Sequence, residues 1–386
     1  MSDEIVAATA SKVVEGAGCL AQLGVALTAF VPPGSSVLLV ADPGLKPLGF
    51  VGQAQAALSA AGLLPVTFCD FTSDPKEAQI DAAMEAGRAA QVAGVVGLGG
   101  GSALDVAKVA AAGLAEGANA AAYSLMAKEP REALPLACIP TTSGTGSEAT
   151  RTAVYTLSDG SKVWTWGEGL RAKLVLLDPQ LTVGLPRGLT VATAVDAMVH
   201  AIESATNRKA NAKSDGPALA AIALVREELP KVLEDPGDLT ARAALQRAAY
   251  LAGVAIDETG CAIAHGIGHA LGALGGVHHG RAVGLALRAA LKSNAEAAPE
   301  RHLAVARALG LSDVAALAAG YDRFLREVGL EIDLSDSGLN PSKLDLLVSE
   351  SLKPENQPMR EVNCRLYDEP ELRAIIGELL DPHPIQ

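Results

Sequence analysis

At 386 residues the chain exceeds the size at which one hydrophobic core keeps growing, so two domains are expected. Hydrophobic residues make up 49% of it, but only 3% are aromatic and the formal net charge is −13, so base-stacking platforms and phosphate-neutralising cations are both scarce and nucleic-acid binding is excluded. No apolar run reaches the ~18 residues that span a bilayer, and MSDEIVAATASKVVEG lacks the basic-then-apolar order of a signal peptide. The five scattered cysteines form no CxxC pair; the expectation is a cytoplasmic protein with reduced thiols.

In chain order, short β-rich runs occur at SVLLVAD (36–42), PVTFCD (65–70), AGVVGLG (93–99), PLACIP (135–140) and KLVLLD (173–178), with alanine-rich helical stretches between the first four. Strand and crossover helix in alternation predict a parallel sheet covered on both faces, an α/β domain of Rossmann-like type. Asp42 ends the first run. An acid there suits the hydroxyls of an adenosine ribose and repels a 2′-phosphate, which favours NAD over NADP, although Asp before Pro43 suits a simple turn equally well.

GLGGGSALDVAK (97–108) follows a strand and opens a helix, so its backbone N–H groups suit a pyrophosphate. Gly100 and Gly101 admit close approach of a ligand, and Ser102 is placed to cap the helix while touching a phosphate; the bland reading is a tight turn. PTTSGTGSE (140–148) follows the next strand and presents the hydroxyls of Thr141, Thr142 and Thr145 at its carboxyl end, where open α/β sheets bind ligands. Trp164 and Trp166 read as packing residues of a strand or hairpin, and Arg151 as an exposed arginine or an anchor for a carboxylate-bearing substrate.

From about Leu185 the β-rich runs vanish and helical patterning continues almost to the end, with breaks expected at Pro217, Gly237, Gly260 and Gly275–Gly276. The division expected is therefore a dinucleotide-binding α/β domain over 1–183 and an all-helical, metal-binding catalytic domain over 184–386, with the DPQLTVGLP segment (178–186) as linker.

Five of the seven histidines fall between Asp196 and Gly280. In VDAMVHAIE, Asp196 and His200 are four apart and project from one helical face; the same step recurs at His265 and His269, and His279 precedes Gly280. A carboxylate with imidazoles suits Fe(II), Zn(II), Ni(II) or Co(II) better than a thiolate-preferring ion. Each residue alone reads as an ordinary polar group on a helix. The set, in small apolar surroundings, points to one ion, because buried imidazoles need partners.

The stretch DPQLTVGLPRGLTVATAVDAMVHAIES resembles the DPxLTxxLPxxxTAxTGxDAxxHAxEx block of the iron-containing (group III) alcohol dehydrogenases, and AHGIGHALGALGGVHHG resembles their AHxxxHxxGxxxxxPHG block. The glycine loop matches GGGSxxDxAK, the threonine loop matches PTTxGTxSE, and the likeness covers nearly the whole chain. It implies Asp196, His200, His265 and His279 as metal ligands and sets His269 beside the nicotinamide, off the metal; His269 is then the candidate for passing the alcohol proton to solvent, with support of the metal site as the alternative. It implies Gly100, Gly101, Ser102, Thr141, Thr142 and Thr145 as cofactor contacts, the last near the nicotinamide, with Asp74, Val154 and Lys162 at further cofactor positions.

Two departures stand out: His278 replaces the proline before the last ligand, and Ala194 replaces a glycine two residues before the ligand carboxylate. The implied function is a metal-dependent oxidoreductase, acting as a homodimer, that transfers hydride between NAD(H) and a small alcohol, aldehyde or ketone. The alternatives are a dehydroquinate synthase-like lyase, against which the missing basic residues of the helical half argue, and a maleylacetate reductase or hydroxyacid-oxoacid transhydrogenase variant. The substrate pocket is implied at 150–154, at Ile256 to Cys261 and around Cys364.

Overall fold

A computed structural model of the chain describes residues 11–380; the start of the N-terminal segment read above for signal-peptide order lies outside the described residues. The strands are β1 (Lys12–Glu15), β2 (Ser36–Ala41), β3 (Leu64–Phe68), β4 (Gly94–Gly99), β5 (Leu136–Pro140), β6 (Thr152–Thr156), β7 (Lys162–Trp166) and β8 (Leu174–Leu177). Six of them form one parallel sheet in the order β1-β8-β5-β4-β2-β3, and β6 with β7 forms an antiparallel hairpin. The crossovers carry α1 (Leu23–Leu27), α2 (Phe50–Ala60), α3 (Glu77–Ala89) and α4 (Gly101–Glu116). β4 and β5 are buried at every residue, which is why these strands read as continuous rather than alternating apolar runs. Sequence patterning missed β1: KVVE has only two apolar residues and becomes a strand through its pairing with β8.

The sheet has a switch point between β2 and β4, because the chain runs from β2 outward to β3 and then returns to the other side of β2 to lay down β4. At such a point the loops leaving the carboxyl ends diverge and open a crevice. Three carboxyl ends meet there: Asp42 N–H donates to Leu98 O at 3.0 Å, and Thr141 N–H to Gly99 O at 3.0 Å. Gly99 has φ +151°, and a Cβ on it would lie 2.6 Å from Ala103 Cβ and 3.0 Å from Asp42 Cβ, so glycine alone allows this approach.

At the far end of α4, Glu116 gathers donors. Burial by itself would raise its pKa, but Lys128, the N–H groups of Glu132 and Arg131, and the Tyr123 hydroxyl outweigh it and hold the carboxyl at about 2. A depressed carboxylate adds stability that is complete above its ordinary pKa and is lost as pH falls towards 2. Glu116→Gln is therefore expected to lower stability at neutral pH by about 1–3 kcal/mol and to flatten the acid limb of the stability curve, both read by urea melts across pH.

The second half is helical: α5 (Arg187–Thr206), α6 (Ala212–Glu234), α7 (Leu239–Thr259), α8 (Ile263–Gly275), α9 (His279–Ala297), α10 (Pro299–Ala308), α11 (Leu317–Glu327), α12 (Leu344–Ser351), α13 (Gln357–Val362) and α14 (Glu369–Leu380). The described residues divide into a compact unit of 11–142 with 146–184 and another of 143–145 with 185–380. In α5 every residue from Thr190 to Thr206 is buried, which makes it the central helix, with α6, α7 and α9 packed on it. Ala194, the departure from the family pattern, is 1% exposed and its methyl is absorbed in that packing.

Pro217 does not break a helix as its sequence suggested but lies inside α6, whose start is fixed by an Asn211–Ser214 capping box. Only one hydrogen bond near the helix start is forfeited, and the buried ring packs instead. No helix among the described residues is long and apolar enough to cross a membrane.

Candidate metal centre and cofactor loops

Asp196, His200 and Glu203 lie on successive turns of α5, His265 and His269 on α8, and His279 is the first residue of α9. The Nε2 atoms of His200, His265 and His279 lie 3.7, 3.8 and 3.6 Å from Asp196 Oδ1. These separations are long for hydrogen bonds. They are close to the edge of a tetrahedron whose ligands stand ~2.0–2.2 Å from a central ion. Asp196 Oδ1 and His265 Nε2 are buried and have no hydrogen-bond partner, an arrangement that would be costly unless something cationic sat among them. The residues present therefore fit a divalent metal.

Glu203 sets the chemistry of His265. Its carboxylate accepts the N–H groups of Ala262 at 2.7 Å and Ala264 at 2.6 Å, and stands 2.6 Å from His265 Nδ1. The proton of His265 therefore belongs on Nδ1, leaving a bare lone pair on Nε2 that faces Asp196. Burial, with His200 and His269 nearby, holds His265 well below its ordinary pKa, so it stays neutral and able to ligate. Burial pushes Glu203 up to about 7 against its backbone donors, and raises Asp196 against the influence of His200 and His278. A cation at the centre would reverse both.

Of the neighbouring histidines, His279 is the one whose ring reaches Asp196, at 3.6 Å, while His278 is the exposed N-cap residue of α9. Gly280 permits this: a Cβ there would lie 2.0 Å from Ala192 O and 3.2 Å from Asp196 Cβ. His269 stands apart from the Asp196 oxygen and instead packs near His279, with ring centroids 5.7 Å apart. Its Nδ1 is 3.0 Å from Asn356 Oδ1, and Asn356 Nδ2 donates to Glu350 O at 3.1 Å. That second bond fixes which end of the amide faces His269, so Nδ1 carries the ring proton.

Sequence reasoning missed Asn356, which is 87 residues from its partner and sits in no recognisable spacing. Cys261 also stands near the centre: one ligand atom each of His200, Cys261 and His265 lies within 4.8 Å of the others. Burial, with Glu203 and Asp196, drives its thiol pKa well up, which favours the thiol over the thiolate.

In the sheet unit, Gly100 is the N-cap of α4 and Gly101 its first residue, beside the switch point. Ser102 lies inside the first turn and makes no capping bond, contrary to expectation, because the extended backbone of Gly100 already occupies the capping position. Thr142 adjoins Gly100, its Cγ2 3.4 Å from where a Gly100 Cβ would be. Asp42 Oδ1 accepts the Gly44 N–H at 2.8 Å, so the turn-forming role is real and one carboxylate oxygen is engaged in it. Asp74 and Lys162 are brought together, Oδ1 to Nζ at 2.6 Å, both exposed. Val154 is held by its N–H to Asp105 Oδ2 at 3.0 Å, and Thr145 is half-buried in the segment 143–145 that clusters with the helical unit. Arg151 is engaged by Glu168 and lies over the Trp166 ring at 4.5 Å.

A switch-point glycine turn in one unit suits a dinucleotide and a buried carboxylate–imidazole cluster in the other suits a divalent metal, the two ingredients of a metal-dependent oxidoreductase. Residues 10–179 match the family model described as iron-containing alcohol dehydrogenase, and residues 190–378 that of the Fe-containing alcohol dehydrogenase family, C-terminal. The chain belongs to the iron-containing alcohol dehydrogenase family.

It is 31% identical over 364 residues to long-chain-alcohol dehydrogenase 1 of Geobacillus thermodenitrificans, covering 90% of this chain and 91% of that one. To the NAD-dependent methanol dehydrogenase of Bacillus methanolicus it is 29% identical over 349 residues, covering 88% and 91%. The crystal structure of sulfoacetaldehyde reductase from Bifidobacterium kashiwanohense in complex with NAD+ superposes with a TM-score of 0.88 at 27% identity, covering 97% of this chain and 98% of that one.

Proposed function

We propose that the chain is an NAD-dependent alcohol dehydrogenase whose metal, Fe(II) in the first place and Zn(II), Ni(II) or Co(II) as substitutes, is held by Asp196, His200, His265 and His279. The observation that carries the reading is the buried Asp196 Oδ1, without a hydrogen bond, facing three imidazole Nε2 atoms at 3.6–3.8 Å. When bound, the metal supplies Lewis acidity towards an alcohol or carbonyl oxygen and the nicotinamide supplies or accepts the hydride.

The residues of the chain do the rest. Glu203 fixes the His265 tautomer, and His269, oriented by Asn356, takes the alcohol proton on Nε2 and passes it to solvent. The first turn of α4, with Gly100, Gly101 and Ser102, offers N–H groups to the pyrophosphate, while Thr141, Thr142 and Thr145 offer hydroxyls. Asp74, Val154 and Lys162 complete the cofactor contacts. Asp42 takes the ribose hydroxyls, and its negative charge opposes a 2′-phosphate, which supports NAD over NADP.

The NAD named for the B. methanolicus enzyme and for the B. kashiwanohense complex supports the same cofactor. On this reading residues 1–183 bind the dinucleotide and 184–386 carry the metal and the catalytic proton relay. The family resemblance supports a homodimer, and the free cysteines a reducing, cytoplasmic setting. Because Glu168 and Trp166 occupy the Arg151 guanidinium, that arginine is read as a structural residue rather than as the anchor for a carboxylate-bearing substrate.

Anaerobic metal analysis coupled to an NADH-oxidation screen over small aldehydes, 2-oxo acids and semialdehydes tests the proposal. About one ion per chain and NADH oxidation with an aldehyde are expected; a metal-free, inactive protein would sink it. Gly101→Val, which sets a branched side chain at the mouth of the helix, is expected to keep the metal while weakening NADH binding by about 100-fold or more.

A further inference from the structure

Lys108 is fully buried in the sheet unit. Its Nζ donates to Ser147 Oγ at 2.8 Å, Thr150 Oγ1 at 3.1 Å and Thr152 O at 2.8 Å. One turn earlier on α4, Asp105 accepts the Ser147 hydroxyl on Oδ1 at 2.7 Å and the Val154 N–H on Oδ2 at 3.0 Å. Glu148, 2% exposed, lies within the field of the same ammonium; burial raises its carboxyl to about 7 while Lys108 pulls it down.

As a stability device this arrangement is poor. Buried ion pairs repay their desolvation only with good geometry, and apolar side chains of similar volume usually pack as well or better. What Lys108 and Asp105 offer instead is direction. Between them they grip Ser147, Thr150, Thr152 and Val154, the limb of chain that returns from the threonine loop, and they do so from the helix whose first turn is Gly101. The outgoing limb is already fixed, Thr141 N–H to Gly99 O at 3.0 Å.

We propose that Asp105 and Lys108 are positioning residues for the cofactor: through Ser147 and the Val154 N–H they hold the threonine-loop limb and β6 in register with the phosphate-binding turn of α4. The inference rests on the assignment of that turn and loop to the dinucleotide. It places the determinants of NAD affinity one layer below the surface that touches it, on groups that reach no ligand.

The experiment uses the metal-loaded full chain and measures NADH affinity by fluorescence titration, steady-state KM and kcat, metal content and Tm for wild type, Lys108→Met and Ser147→Ala. Ser147→Ala removes only the shared hydroxyl and decides the matter if Lys108→Met does not fold. Expected are a Kd for NADH and a KM for NAD raised about tenfold or more, with kcat within about threefold and metal content and alcohol KM unchanged. A purely structural role predicts the opposite split, a lower Tm and fewer active molecules whose KM for NAD is that of wild type, and this result would overturn the proposal. Should wild type itself bind no NADH, the dinucleotide assignment falls before any variant is compared, and this inference falls with it.

Discussion

Replacing His265 by alanine is expected to strip the protein of its metal and of turnover together, while the helical unit stays folded. His265 contributes to the centre twice: its Nε2 faces Asp196 Oδ1 at 3.8 Å, and its Nδ1 satisfies the buried Glu203 at 2.6 Å. Changes to groups that merely orient ligands cost about 10–100-fold in metal affinity, so loss of a ligand should exceed that range. Glu203 keeps two backbone donors in the variant, from Ala262 and Ala264, which is why the fold should survive. Anaerobic metal analysis after desalting, beside a circular dichroism spectrum, provides the check. A variant that kept full metal occupancy would mean that the ion is held elsewhere.

The second large effect is expected at a residue with no functional group. Gly280→Ala adds one methyl where there is no room: it would stand 2.0 Å from Ala192 O and 2.7 Å from Ala192 C, backbone atoms of the central helix α5. A rotamer change cannot relieve the clash, so α9 must shift away from α5 and carry His279 away from Asp196. Overpacking of this kind costs about 1–3 kcal/mol or more, a fall of several degrees in Tm for a unit of this size. Metal affinity should drop along with it. Gly377→Ala in α14 is the control: nothing lies within 4 Å of its missing Cβ, so it should leave metal affinity unchanged and, as alanine replaces glycine within a helix, hold or slightly raise Tm. If Gly280→Ala bound metal like wild type, the tight crossing of α5 and α9 would not be what sets the His279 position.

The parts of this site that were legible in the sequence are those carried by local periodicity. Asp196 and His200, four residues apart, share a face because a helix turns every 3.6 residues, and the same step pairs His265 with His269. The glycine turn after β4 and the threonine loop after β5 were readable because a glycine-rich or hydroxyl-rich segment directly follows a buried apolar strand. Where local reasoning failed, context decided. Ser102 looked like a helix cap, yet Gly100 takes that position, and Pro217 looked like a helix end, yet the capping box six residues before it starts α6 and the ring packs within.

The sequence by itself determined the ingredients: a parallel sheet from runs of buried apolar residues, a helical second half, and an inventory of one carboxylate and several imidazoles at helical spacing. Tertiary structure alone decided which of them act together. It turned His279 rather than His278 towards Asp196, paired His265 with Glu203 from 62 residues away and His269 with Asn356 from 87, and set Lys108 against the limb that returns from the threonine loop. The reason is physical: spacing along a helix fixes the face on which a side chain lies, but only the packing of one helix on another fixes what that face meets.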